Sequence, residues 1–111
     1  MLQASTKRDI IESAAKMVKI HTGKGPGNIS LSMFNNNLIL MFSQFLTPLE
    51  SELAHKDHNY GLIYSIRNEL IDCLSDEWRN LFGQHGLQIA NINGAVDIAN
   101  NQRVLVFTVE K

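Results

Sequence analysis

From Gly23 to Glu50 the chain reads GKGPGNISLSMFNNNLILMFSQFLTPLE, and each piece of that run specifies a different local structure. Three glycines around Pro26 give a loop with wide backbone freedom. Ile29, Leu31 and Met33 alternate with Ser30 and Ser32, the period of a strand with one buried face. Asn35-Asn36-Asn37 predicts a hairpin turn, because asparagine accepts positive φ more readily than other non-glycine residues. Leu38 to Phe42 is apolar on both faces, so this strand is either central and covered twice or shows one face to another subunit. Thr47-Pro48-Leu49-Glu50 starts a helix: Thr47 caps it, Pro48 takes the first helical position, and Glu50 completes a capping box.

Working outward, Ser5 to Ile20 predicts a first helix, with Ile10, Ile11, Ala14, Ala15 and Val18 in one stripe and Gly23 as its stop. Met17 falls beside that stripe, a half-exposed position. Tyr60 to Phe82 predicts the longest helix, striped by Ile63, Ile66, Leu70, Cys73 or Leu74, Trp78, and Leu81 or Phe82. Arg67, Glu69, Asp72, Asp76 and Arg79 fill its polar faces, and Cys73 reads as a small core residue. A helix this long exceeds what a four-stranded sheet must cover, which leaves part of its stripe for a twin helix or another protein. Leu87 to Ile98 predicts a third strand with a bulge or bend at Asn93-Gly94. Asn100-Asn101 marks a second turn, and VLVFTV, from Val104 to Val109, is again apolar on both faces. The expected fold is α+β, in the order α-β-β-α-α-β-β. A mainly antiparallel four-stranded sheet is built from two hairpins, its second and last strands central and its helices packed on one face. One domain spans residues 1–111.

Bulk properties exclude several classes. Ten basic and eleven acidic residues leave a net charge of −1 over 111 residues, without the basic cluster that binding to nucleic acid requires. Cys73 is the only cysteine, so no internal disulfide forms, which favours a reducing, cytoplasmic setting. The first residues lack the apolar core of a signal peptide, and no apolar run approaches the ~20 residues of a spanning helix. Direct membrane insertion is therefore not expected.

Three sets of residues are candidate sites. Gly23, Lys24, Gly25, Gly27 and Asn28 could cradle a small anion with backbone N–H groups and one ammonium. Pro26 cannot donate, and a P-loop needs a longer glycine spacing directly before a helix, so a tight helix-to-strand turn is the favoured reading. Ile39, Met41, Leu105 and Phe107 on the doubly apolar strands, with Trp78 on the long helix, are candidate homodimer contacts, since the sheet's second face needs cover. His55 and His58, three apart, form a weak metal pair for which no third ligand is evident. No catalytic set appears and no cofactor is implied.

The Gly23-x-Gly25-Pro26 loop after an amphipathic helix, the hairpin, Leu46-Thr47-Pro48-Leu49-Glu50, the Ile66-Arg67 helix and the closing Val106-Phe107-Thr108-Val109 recur together in one family. Through them nearly the whole chain resembles the MpsC-like family, whose name refers to a sodium-translocating, membrane-potential-generating system. The resemblance implies a small accessory or regulatory protein acting beside membrane proteins of ion or inorganic-carbon transport, with a membrane transport protein as partner. It supplies no catalytic residues.

Overall fold

The computed structural model of the chain describes residues 2–56 and 60–110. The first helix, α1, runs Ala4–Thr22, two residues past Ile20, and Gly23 ends it at φ 81° with its N–H on the Lys19 carbonyl. Gln3 precedes it without a side-chain cap. Its buried stripe is Ile10, Ala14, Met17 and Val18. Met17 is therefore a core residue, because positions 10, 14, 17 and 18 complete the i, i+4, i+7, i+8 face.

The first hairpin pairs β1 (Asn28–Phe34) with β2 (Asn37–Ser43), and Asn35 makes its turn at φ 55°. The second pairs β3 (Ile89–Asp97) with β4 (Gln102–Val109). Asn101 turns at φ 51°, and Asp97 accepts the Asn100 backbone N–H. β2 and β4 pair antiparallel, giving the sheet order β1-β2-β4-β3. Both doubly apolar strands are central, as their composition predicts.

The register sorts the side chains into two faces. On the inner face Ile29, Phe42, Arg103 and Val96 lie in one row, Leu31, Leu40, Leu105 and Gly94 in the next, then Met33, Leu38, Phe107 and Ile92. The outer face carries Ser30, Met41, Val104 and Ala95, then Ser32, Ile39, Val106 and Asn93, then Phe34, Asn37, Thr108 and Asn91. The bulge of β3 falls between Ile89 and Asn91 rather than at Asn93-Gly94. One extra residue reverses the parity of a strand, so Ile89 and Ile92 both reach the inner face. Gly94 has a different reason to be glycine: a Cβ there would stand 2.7 Å from Ile71 Cδ1 and 3.0 Å from Leu105 Cδ2.

The long helix is two. α3 spans Tyr60–Cys73 and α4 spans Ser75–Gly83, with Leu74 between them at φ −99°, ψ 7°. The Leu74 N–H reaches the Leu70 carbonyl and the Trp78 N–H the Leu74 carbonyl, so Leu74 closes one helix and opens the next. The bend gives each half its own inward face. α3 buries Ile63 and Arg67, while α4 buries Trp78, Leu81 and Phe82. Trp78, Phe82 and Phe107 meet as a ring cluster, Phe82 and Phe107 with centroids 4.6 Å apart. Ile66 is accordingly exposed, and Cys73 lies at the surface instead of in the core, because the inward line runs through 63, 67, 70 and 74. The His21 ring lies 2.8 Å from the Glu77 carboxylate, tying α1 to α4. Among the described residues no helix is long and apolar enough to cross a membrane.

Candidate functional site

The residues that concentrate charge in this fold lie where the helices meet the inner sheet face. Thr47 and Glu50 close the capping box of α2 (Pro48–Lys56): the Thr47 N–H donates to Glu50 Oε1 at 2.9 Å and the Glu50 N–H to Thr47 Oγ1 at 3.2 Å. The same carboxylate receives Arg67 from α3, Nη2 to Oε1 at 2.6 Å and Nε to Oε2 at 2.9 Å. This two-pronged geometry is the strong form of an arginine–carboxylate pair. Arg67 Nη2 also donates to the Phe45 carbonyl, and its guanidinium lies 4.9 Å from the centre of the Phe45 ring. Glu50 and Arg67 are only 6% and 4% exposed. Burial alone would raise the Glu50 carboxyl, but hydrogen bonds from Arg67 and Thr47 and the Arg67 charge outweigh it and hold the group below its ordinary 4.5.

Arg103 on β4 completes the group. It is 4% exposed and donates through Nη1 to the Ala95 carbonyl and through Nη2 to the Arg67 carbonyl, each at 3.2 Å. Burial, and then the neighbouring Arg67 charge, lower its pKa to about 10, against a small opposing effect of Glu50. A guanidinium at that value remains protonated at neutral pH. Two buried cations thus share one carboxylate.

The two arginines face a cavity of about 30 Å³ lined also by Val18, Phe42, Leu74 and Trp78. Thr22, Arg67 and Leu70 separate it from an outer cleft of about 240 Å³ bounded by His21, Thr47, Leu49, Glu50 and Ile66. Sequence reasoning placed Arg67 on a polar face and passed over Arg103. Both carry a signal in their period: Arg67 falls i+4 from Ile63 in the inward line of α3, and Arg103 alternates in phase with Leu105 and Phe107.

The other candidates fall as follows. In the Gly23-to-Asn28 loop four backbone donors are engaged within the chain. Gly23 N–H goes to Lys19, Lys24 N–H to Thr22 Oγ1, Gly27 N–H to the Ser43 carbonyl and Asn28 N–H to Ser43 Oγ. The Lys24 ammonium donates to the Leu46 carbonyl at 2.9 Å. The loop is a brace between α1, β2 and the start of α2. Gly25 packs against the Lys19 side chain. Of the interface candidates, Ile39 and Met41 lie on the outer sheet face. Leu105, Phe107 and Trp78 do not: all three are core residues, 3%, 0% and 3% exposed, because the register turns Leu105 and Phe107 toward the helices and the bend at Leu74 lays Trp78 over Phe107. Val104 and Val106 take the outer positions instead. His55 is exposed at the end of α2, and His58 lies outside the described residues. Among those residues no three His, Cys, Asp or Glu side chains gather as a metal site.

A family model described as the Na+-translocating membrane potential-generating system (MpsC) matches residues 3–111. No curated protein and no solved structure matches the chain.

Proposed function

The chain belongs to the MpsC family, and on that premise we propose that it serves a sodium-translocating, membrane-potential-generating system as a cytoplasmic, non-catalytic accessory protein that works as a homodimer. One observation carries the dimer: the outer face of the sheet is an apolar patch that no described element covers. Phe34 and Met41 are 69% and 40% exposed there, around Ile39, Val104 and Val106. The three rows that hold them contain no charged residue; serine, threonine and asparagine surround the apolar centre. A second copy meets such a face without like-charge repulsion, since an isologous interface sets each patch against itself. An anionic lipid surface would call for a basic face.

The non-catalytic part rests on chemistry. Glu50 and Arg67 are held in hydrogen bonds to each other and to backbone, and among the described residues no nucleophile is hydrogen-bonded to a base. The functional test is complementation. Cells that lack the protein are expected to build a smaller sodium-dependent membrane potential, read with a potential-sensitive dye. Wild-type protein restores it, and Met41→Glu, folded but with a charge on the outer face, does not. Full restoration by a stably folded Met41→Glu would refute a working role for that face.

A further inference from the structure

We propose that the cavity between α3 and the inner sheet face is a binding site for one small inorganic monoanion of chloride's size, held by Arg103 and Arg67. The charge balance is the first ground. Arg103 and Arg67 are the charged side chains that line the cavity; Glu50, outside its lining, returns one negative charge through Arg67. A buried charge without a counter-charge is among the costliest groups a core can hold. Arg67 has its carboxylate, whereas Arg103 has only the carbonyls of Ala95 and Arg67. A guanidinium offers five N–H donors, and the two bonds of Arg103 use one on each terminal nitrogen.

Size is the second ground. A water needs ~10–15 Å³ of such space and occupies ~30 Å³ in the liquid. A cavity of about 30 Å³ therefore holds a single water-sized or slightly larger body. A halide meets that limit; a tetrahedral oxyanion does not. Apart from Thr22 the remaining lining, Val18, Phe42, Leu74, Trp78 and Leu105 among it, is apolar, which strengthens the ion's attraction to both guanidiniums. Thr22, Arg67 and Leu70 form the wall the cavity shares with the outer cleft. The lowered pKa of Arg103 comes first from its burial and then from the neighbouring Arg67 charge, both of which a bound anion would offset. The site lies across the sheet from the apolar outer face, so its test is independent of the dimer.

The experiment replaces gluconate by bromide at constant ionic strength and follows thermal unfolding of the full chain. A saturating rise is expected, about 6 °C by ten times the dissociation constant, and Arg103→Met is expected to show none. A bromide-soaked crystal of the wild type, which does not depend on the variant folding, is expected to show an anomalous peak between Arg103 and Arg67. A rise equal in wild type and variant would mean a general salt effect and overturn the proposal. So would a wild type insensitive to bromide, or a crystal with an empty cavity.

Discussion

Glu50 Oε1 closes the capping box of α2, and the same oxygen together with Oε2 receives both nitrogens of Arg67. Removing one member of such a pair strands the other as a buried lone charge. Glu50→Gln is therefore expected to lower unfolding free energy by about 3–5 kcal/mol, while the double variant Glu50→Leu/Arg67→Met recovers most of that loss. Urea unfolding of the three proteins checks it; a double variant no more stable than Glu50→Gln would mean the pair is not coupled. The pair also sets an acid limit. Because folding lowers the Glu50 pKa below 4.5, its contribution is complete above pH 4.5 and is lost as pH falls through the folded value. Stability measured from pH 6 downward should drop below about pH 4.5 in the wild type and less steeply in Glu50→Gln. Arg103 works in the opposite sense: its folded pKa is depressed to about 10, so at neutral pH its charge opposes folding, and that penalty is relieved only above pH 10.

Helix and strand packing depend on one missing side chain. Gly94 lets Ile71 of α3 close on β3, and an added Cβ would also come within 3.2 Å of Arg103 Nη1. Gly94→Ala is expected to cost about 1–3 kcal/mol by overpacking, with partial recovery when Ile71→Val is added. Chemical denaturation measures both, and an unaffected Gly94→Ala would mean that α3 shifts freely. The elements themselves were largely legible. Alternating Ile29, Leu31 and Met33, the doubly apolar Leu38–Phe42 and Val104–Val109, and the Thr47–Glu50 cap each carry a local rule that the structure obeys. The bend at Leu74 has no proline or glycine to announce it, and the bulge at Ala90 rests on an unremarkable residue, held where Arg79 donates to the Ile89 carbonyl. Arg67 and Arg103 were hidden for a related reason. Charge alone assigns an arginine to solvent, and only the period of its apolar neighbours shows that it points inward.

At the scale of the whole molecule, the helices cover one side of the sheet and leave the other bare. β2 and β4 place Ile39, Met41, Val104 and Val106 in the middle of that side, with Phe34 at its corner. Burying these residues against a twin would remove apolar surface from water at roughly 25 cal/mol per Å², without a charge to desolvate in those rows. On the proposed reading, a carboxylate added to this face is expected to oppose both self-pairing and the proposed role.

Sedimentation equilibrium of the purified chain is the most direct measurement. The expected result is a species of twice the 12.5 kDa chain mass, converted to the single chain by Met41→Glu with an unchanged circular dichroism spectrum. A wild type that stays at the single-chain mass at concentrations of about 100 µM, far above a micromolar dissociation constant, would contradict the self-paired sheet.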